Sequence, residues 1–299
     1  MKIFVTGGTG FIGKYVVKKL HEDNHNLLIL VYGKIPQDFP LKPSRKLKFI
    51  NGNLADISSW KNAVKKFKTQ ATIHLAWEAI PLFDAKTSFK NLVQSLNLML
   101  LMAEMGCKIF LSAGSCWEYG DQYGKLKEDG LVKPFTAFAA AKNSVHLMAR
   151  AIAKEFGMKF IWTRFFFVYG PGQKESSIIP HVIKSVIAGK KPQIKNLSAQ
   201  NDFVYVEDVA EAIVMILNKS KEDYAVYNIG SGKLTSVGKI AKIIYSGFHS
   251  PFIFKLPKKK NKGFYADISK IKKEIGWRPK TSIETGIKKT IDYYKNLWG

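Results

Sequence analysis

The chain has 299 residues, 46% of them hydrophobic and 13% aromatic, so it can fill a hydrophobic core and is not intrinsically disordered. Its two cysteines, Cys107 and Cys116, lack the spacing of a disulfide framework or a zinc site, and we expect no metal ion. The formal net charge is +24, which raises the question of a nucleic-acid or membrane partner.

The type of basic residue argues against both partners. Only four of the 47 basic residues are arginine, the side chain that reads bases and phosphates best, and the lysines are scattered along the chain. No uncharged apolar run reaches the length of about 18 residues that a membrane span requires. We therefore expect a cytoplasmic protein with solvated lysine surfaces, without a nucleic-acid or membrane partner.

The chain begins with an apolar strand at residues 2–5, a glycine-rich turn and an amphipathic helix from about residue 14. Gly7 and Gly8 permit a tight turn, Gly10 a close approach of a ligand, and Gly13 close packing of helix against strand. Strand, glycine turn and helix in this order are typical of a site where backbone amides hold a pyrophosphate.

The turn TGGTGFIG resembles that of the extended short-chain dehydrogenase/reductase superfamily, whose members modify nucleotide sugars. The resemblance continues through several motifs to about residue 295. It implies an α/β fold with a doubly wound parallel sheet. A dinucleotide-binding domain would span 1–165, and a smaller nucleotide-sugar-binding lobe, interleaved with it, would span 166–299.

The second strand, residues 26–32, bears on the choice of dinucleotide. It ends in Tyr32-Gly33-Lys34 and offers no carboxylate to the ribose 2′-hydroxyl, whereas Lys34 can meet a 2′-phosphate. This favours NADP over NAD, unless Lys34 is an ordinary surface lysine. By resemblance, Asn91 opens a helix and His74 is structural. The further cofactor contacts that the resemblance implies are Gly7, Gly10, Phe11, Ile12, Gly13, Asn53, Leu54, Leu75, Ala76, Asn91 and Lys142.

The segment SAGSCWEYG resembles the superfamily's S-S-x-x-x-Y-G segment, which makes Ser115 the hydroxyl that orients the sugar oxygen. Dehydratases of the superfamily follow this residue with Asp-Glu, but here Cys116 and Trp117 follow. Neither side chain supplies the acid/base pair that water loss needs, so dehydration is disfavoured. Glu118 comes one position too late, and on a strand-like turn it would face the wrong side.

The superfamily's Tyr-x-x-x-Lys pair, one helical turn apart, is here Phe138 and Lys142. Phe138 has no proton to give. Three interpretations remain open: an engineered Tyr-to-Phe variant, which we favour, a natural variant with another donor, or a protein that binds dinucleotide without redox catalysis. Candidate donors are Tyr123, Thr136 and Ser115 with water.

The second half contains the predicted substrate contacts. At two positions where relatives carry Asn and Arg, the chain has Phe167 and Asn201, and lysines such as Lys195, Lys259 or Lys260 could compensate for the lost charge. Helices are predicted at 176–188 and 282–294. The complete set of predicted substrate-binding residues is Trp77, Cys116, Trp117, Phe167, Asn201 and Lys259.

Together these features predict NADPH-dependent reduction of a keto group on a nucleotide-linked, 4-keto-6-deoxy sugar. The alternatives are a nucleotide-sugar 4-epimerase and a dinucleotide-binding protein without catalysis. By resemblance, helices near 91–105 and 138–155 would pair with a second copy in a homodimer.

Overall fold

The computed structural model describes residues 1–248 and 262–298, which form two compact units. The first unit contains Met1–Asp121, Asp129–Phe165 and Ile213–Tyr227, and the second contains Gln122–Glu128, Phe166–Ala212 and Asn228–Gly299.

In chain order, the described strands are β1 (Lys2–Thr6), β2 (Asn26–Val31), β3 (Leu47–Asn51), β4 (Ala71–His74), β5 (Ile109–Ser115), β6 (Gly124–Leu126), β7 (Lys159–Phe165), β8 (Phe167–Tyr169), β9 (Gln200–Asn201), β10 (Phe203–Tyr205), β11 (Tyr224–Ile229), β12 (Thr235–Ser236) and β13 (Phe264–Ala266). The helices are α1 (Phe11–Glu22), α2 (Lys61–Phe67), α3 (Ala85–Glu104), α4 (Ala137–Glu155), α5 (Ile178–Ile187), α6 (Val206–Lys219), α7 (Val237–Gly247), α8 (Ser269–Ile275) and α9 (Ile283–Trp298). Two short 3-10 helices cover Ile57–Ser59 and Cys116–Tyr119.

Seven parallel strands form the central sheet in the order β11-β7-β5-β4-β1-β2-β3, which confirms the predicted doubly wound α/β fold. The strands are near-continuous apolar runs because helices cover both faces of the sheet. Strand β1 pairs with β2 on one side and β4 on the other, so the direction of winding reverses there. Ligands of such sheets bind at the carboxyl ends of the strands beside this reversal. Thr6, His74 and Ser115 end β1, β4 and β5 at that edge.

The helix that contains Asn91 begins earlier than the sequence predicts. Asp84 caps α3 by accepting a hydrogen bond from the backbone amide of Thr87 at 2.9 Å, so the helix starts at Ala85. Asn91 therefore does not open the helix, as expected from the resemblance, but lies buried within it. Helix α4 begins at Ala137, where the Thr136 hydroxyl accepts from the Ala139 amide at 3.2 Å.

The second unit contains the parallel pair β8–β10 and a four-stranded sheet in the order β12-β9-β13-β6. The predicted helices at 176–188 and 282–294 are observed as α5 and α9, with shifted ends. Buried Asp202 joins the segment after β11 to β13. Its carboxylate accepts hydrogen bonds from the backbone amides of Ser231, Gly232 and Ala266 at 2.6–3.0 Å. The apolar core of the unit includes Tyr169, Ile183, Ile240, Ile287 and Tyr294.

Candidate active site

The glycine turn after β1 is shaped by close backbone contacts. Gly7 has a φ of +72°, and a Cβ there would lie 2.5 Å from the backbone nitrogen of Ala76. A Cβ on Gly13 would lie 2.0 Å from the carbonyl oxygen of Gly7. A larger residue at Gly7 would overlap the backbone after β4, and a larger residue at Gly13 would push α1 away from the turn.

The start of α1 has unused hydrogen-bond donors. Gly10 stands at the N-cap without a capping side chain, so the first amides of the helix, those of Phe11, Ile12 and Gly13, have no acceptor within the helix. Such amides and the helix dipole together favour a bound phosphate. The turn therefore fits the pyrophosphate of a dinucleotide.

His74, at the end of β4, is held from both sides. Its Nδ1 lies 2.7 Å from the Thr6 hydroxyl and its Nε2 lies 2.9 Å from the Ser95 hydroxyl. Burial lowers the pKa of His74 to about 3, with a smaller contribution from the positive charge of Lys142. These contacts support the predicted structural role, because a neutral, doubly bonded imidazole fixes β4 against β1 and α3.

Beyond β4, Leu75, Ala76 and Trp77 are half-buried at the predicted cofactor edge. The Asn91 side chain binds the backbone of Glu78, the residue after Trp77. Its Oδ1 accepts from the Glu78 amide at 2.7 Å, and its Nδ2 donates to the Thr87 carbonyl at 2.9 Å. The predicted cofactor contact of Asn91 stays a prediction, but its amide already orders the chain next to Trp77.

Ser115 ends β5 and begins a 3-10 helix. Its amide donates to Glu118 Oε1 at 2.7 Å, and its hydroxyl accepts from the Trp117 amide at 3.2 Å. This reciprocal capping box fixes the serine side chain while leaving its hydroxyl proton available to a ligand. Cys116 is buried and Trp117 is exposed on the same turn.

The strand-like turn that we expected at Glu118 is wrong, because Cys116–Tyr119 is helical and turns that carboxylate inward. Glu118 is fully buried and accepts from Arg164 Nε at 2.9 Å and from Trp162 Nε1 at 3.0 Å. Gly114 leaves room for it, since a Cβ there would lie 2.6 Å from Glu118 Oε1. Sequence reasoning missed Arg164 as a partner of this turn, although an arginine inside the largely apolar strand β7 was the available signal, since a buried arginine needs a partner.

Lys142 lies on α4 beside the end of β5. Its Nζ donates to the Ala113 carbonyl at 2.7 Å and stands 3.9 Å from the centre of the Trp77 ring system. Burial lowers the pKa of Lys142 to about 7, although the negative charge of Glu118 opposes this shift. Ala113 precedes Ser115 by two residues in β5, so the ammonium lies beside the strand end that carries the serine.

One turn before Lys142, Phe138 occupies an aromatic cluster. Its ring centre lies 5.5 Å from that of Trp77, edge-on, and 4.7 Å from that of Phe83. The backbone thus presents position 138 as the superfamily motif requires, but an apolar ring stands there instead of a phenol.

The remaining predicted cofactor residues lie after β2 and β3. Lys34 is exposed two residues beyond Tyr32. Asn53 uses its side-chain oxygen locally, accepting from the Ala55 amide at 2.8 Å, while its backbone oxygen accepts from Trp60 Nε1 at 2.8 Å. Leu54 is buried beside it.

Two predicted substrate residues belong to the second unit. The Phe167 ring packs against Phe203 and Phe264, with ring centres 5.8 and 6.0 Å apart. This placement supports an apolar packing role for part of the ring. Asn201, in β9, is half-buried. Lys259, the third predicted contact in this half, and the alternative Lys260 lie outside the described residues.

Two kinds of site are absent from residues 1–248 and 262–298. No cluster of three or more His, Cys, Asp or Glu side chains there could hold a metal ion. In the same part of the chain, no helix combines the length and apolarity needed to cross a membrane.

Known proteins match this chain along nearly its full length. The model of the NAD dependent epimerase/dehydratase family matches residues 3–230. The UDP-glucuronate 4-epimerase of Thermodesulfobacterium geofontis is 30% identical, over 97% of this chain and 95% of its own.

Solved structures agree with this match. The UDP-N-acetylglucosamine 4-epimerase of Methanobrevibacter ruminantium, in complex with UDP-N-acetylmuramic acid, superposes with a TM-score of 0.85 at 25% identity, covering 99% and 98% of the two chains. The UDP-glucuronic acid 4-epimerase of Bacillus cereus, in complex with NAD, shares the fold with a TM-score of 0.87 at 23% identity, each chain covered completely. The glycine turn, the serine at the end of β5 and the family match along residues 3–230 lead to one conclusion: this chain belongs to the NAD dependent epimerase/dehydratase family.

Proposed function

We propose that the protein is a nucleotide-sugar 4-epimerase that inverts a sugar carbon by transient oxidation. The observation that carries this proposal is that Lys142 donates to the Ala113 carbonyl in β5, the strand that Ser115 ends, on the sheet edge that also bears the glycine turn. The names of the relatives favour epimerisation over the keto-sugar reduction that the sequence first suggested. Reduction of a 4-keto-6-deoxy sugar is the second candidate, favoured by Lys34 and by a trifunctional Arabidopsis thaliana relative whose name includes a UDP-4-keto-L-rhamnose-reductase.

Each group has a defined task in this proposal. The free amides at the start of α1 hold the pyrophosphate of the dinucleotide, and a bound nicotinamide supplies the hydride acceptor and donor. The Ser115 hydroxyl donates a hydrogen bond to the sugar oxygen, which places the reacting carbon. Trp77 and Phe138 offer an apolar wall on which a sugar ring can pack.

The experiment is an end-point assay with UDP-glucose, UDP-galactose, UDP-glucuronate and UDP-N-acetylglucosamine, separating C4 epimers by chromatography. Epimer formation without net dinucleotide consumption, together with a dinucleotide that copurifies and does not exchange, supports the proposal. Stoichiometric NADPH consumption with a 4-keto-6-deoxy nucleotide sugar points to the reductase instead. Ser115→Ala removes the hydroxyl that orients the sugar oxygen, and its kcat should fall at least about 100-fold.

The same assay also tests the alternative that the protein binds dinucleotide without catalysis. Dinucleotide binding without turnover of any nucleotide sugar, in both the native chain and Phe138→Tyr, supports a binding protein and contradicts the epimerase. A large gain in Phe138→Tyr over an almost inactive chain with Phe138 supports the interpretation that Phe138 replaces an original tyrosine.

For the cofactor, we propose that the site accepts NADP as well as the NAD bound by the Bacillus cereus relative. Lys34 stands exposed beyond β2, where a ribose 2′-phosphate would need a positive charge, and the Tyr32-Gly33-Lys34 segment has no carboxylate to repel it. The nearby Asp38 is already paired with Lys14, at 2.6 Å.

We further propose a homodimer built through α3 and α4. These helices expose large apolar side chains on the surface of the first unit, which is unusual for a surface that meets only water. The exposed residues are Phe89, Val93, Leu100, Leu147 and Met148. A second copy of the same surface, related by a two-fold axis, would bury them.

A further inference from the structure

The proposed reaction moves a proton as well as a hydride, and position 138 cannot move it. A hydroxyl that becomes a carbonyl must lose its proton to a neighbouring group and later regain one. The Phe138 ring packs between Trp77 and Phe83 and has no ionisable group. The proton carrier of this chain therefore has to be another side chain.

The titratable groups around the site are mostly committed elsewhere. His74 is bonded on both ring nitrogens, and its pKa of about 3 leaves it neutral under ordinary conditions. Glu118 is locked in an ion pair with Arg164. Glu78, next to Trp77, pairs with Lys90 at 2.6 Å.

The hydroxyl candidates named from the sequence are Thr136, Ser115 and Tyr123. The Thr136 oxygen caps α4, and the Ser115 oxygen accepts from the Trp117 amide, so both act first as acceptors in the backbone. An alcohol without an adjacent base is a poor proton donor or acceptor near neutral pH. Tyr123 belongs to the second unit, where its ring lies 5.8 Å from the Lys262 ammonium.

Lys142 differs from all of these groups. Only one of its three ammonium protons is needed for the bond to the Ala113 carbonyl, and the amine lies at the same strand end as Ser115. It is 6% exposed, and its apolar surroundings include the Trp77 ring at 3.9 Å. With its pKa lowered to about 7, the amine exists in both charge states at neutral pH. The charged group that acts on the pKa of Lys142 is Glu118, which stabilises the ammonium, whereas the Lys142 charge itself helps to lower the pKa of His74.

We propose that Lys142 itself carries the proton of the reaction, as base in the oxidation and as acid in the return step. This assignment rests on the proposed function. In the forward half, the substrate C–H bond breaks with transfer of its electron pair and hydrogen to the nicotinamide. The O–H proton passes to the neutral Lys142 amine, and a C=O bond forms. In the return half, hydride comes back to the opposite face of that carbon and the Lys142 ammonium protonates the oxygen, so no net oxidant or reductant is consumed.

The first test separates binding from proton transfer. An arginine at this position can still donate hydrogen bonds but cannot become neutral. Lys142→Arg is therefore expected to keep its dinucleotide Kd within about threefold while kcat falls at least about 100-fold. Lys90→Arg, an exposed lysine in the neighbouring helix, is the matched control and should leave kcat unchanged. Retention of kcat within about threefold in Lys142→Arg overturns the assignment.

The second test needs no turnover and no substitution in the protein that is titrated. In 15N-lysine-labelled native protein, the Nζ signal absent from Lys142→Arg should titrate with a midpoint near 7. If Lys142→Arg does not fold, Lys142→Met serves for the assignment. A midpoint above about 9 overturns the assignment, because most of the amine would then be charged at neutral pH.

The pH profile of kcat gives the third result and tells the two proposals apart. Below about pH 7 the protonated amine cannot accept the substrate proton, so kcat should fall about tenfold for each pH unit. A flat profile with normal epimerisation overturns the role of Lys142 but leaves the epimerase proposal standing. Absence of turnover with every nucleotide sugar, despite a midpoint near 7, contradicts the epimerase instead.

Discussion

Glu118 and Arg164 form a buried ion pair that reaches the candidate catalytic serine through a single hydrogen bond. Arg164 Nε lies 2.9 Å from Glu118 Oε2, the two side chains are 2% and 0% exposed, and Glu118 Oε1 accepts the Ser115 amide at 2.7 Å. Trp162 donates to both carboxylate oxygens, and the Tyr119 hydroxyl accepts from Arg164 Nη1 at 3.1 Å. Every charge in this group is compensated, so the removal of one partner should be costly.

The first prediction concerns this pair. Glu118→Gln keeps the shape of the side chain but leaves Arg164 as an uncompensated buried charge. We expect the free energy of unfolding to fall by about 3–5 kcal/mol in urea titrations. The control Glu284→Gln breaks an exposed pair with Lys239 and should cost about 0–1 kcal/mol. Equal losses in the two variants would show that burial of the pair has no special effect.

The second prediction concerns the pH dependence of stability. The pKa of His74 is about 3 in the folded protein and about 6.5 when unfolded, so folding favours the neutral form. Its contribution is complete above pH 6.5 and is lost as the pH falls towards 3, by up to about 1.4 kcal/mol per pH unit. Urea titrations at several pH values between 7 and 4 measure the free energy of unfolding. The slope of this free energy against pH should therefore be shallower for His74→Asn than for the native chain. Identical slopes would contradict this account.

The third prediction uses two glycines with similar backbones. Gly7 and Gly106 have φ values of +72° and +74°, but only a Cβ on Gly7 meets a neighbour, the Ala76 nitrogen at 2.5 Å. Gly106→Ala should cost about 1–2 kcal/mol from backbone strain alone. Gly7→Ala should cost about 2–5 kcal/mol, because the steric overlap adds to the strain. Thermal unfolding measures the loss of stability in each variant. Dinucleotide titration measures binding, and normal dinucleotide affinity in Gly7→Ala would argue against the glycine turn as the pyrophosphate site.

The fourth prediction tests the charge that faces the ribose. Lys34→Asp replaces a positive group with the acceptor typical of NAD sites. The ratio of the NADP and NAD dissociation constants should rise at least about tenfold in this variant, because attraction of the 2′-phosphate becomes repulsion. Lys18→Asp, an exposed change on α1, is the control for net charge. An unchanged ratio in Lys34→Asp would make Lys34 an ordinary surface lysine.

The fifth prediction tests the dimer. Leu147→Glu introduces a charge into the exposed apolar surface of α4, and Leu297→Glu does the same on α9. Their exposed fractions, 57% and 59%, are nearly equal. Sedimentation velocity at micromolar concentration should show a dimer for the native chain and Leu297→Glu, and a monomer for Leu147→Glu. A native monomer contradicts the proposed interface.

Much of the first unit could be predicted because the information is local. Apolar runs such as residues 2–5 and 26–32 specify buried parallel strands, and the glycine turn between strand and helix needs only a few consecutive residues. The four-residue spacing of Phe138 and Lys142 fixes both on one face of α4. The family could be recognised for the same reason, since its motifs are short and follow one another in order.

The start of α3 was less predictable, because two signals lay close together. Asn91 matched a family position, but Asp84 supplies the N-cap seven residues earlier, and a capping hydrogen bond decides where a helix begins. The motif predicted correctly that a helix contains Asn91 but wrongly that Asn91 begins it.

The sequence by itself determined the order of strands and helices, the glycine turn after β1, and the identity of the residues at 115, 138 and 142. Only the tertiary structure decided that Glu118 turns inward to Arg164, 46 residues away, and that Lys142 is buried beside Trp77. Both outcomes depend on how deeply a side chain lies and on which distant strand packs against it. Burial and charge pairing set the pKa of an amine and the cost of an ion pair, and segments far apart in the chain supply them.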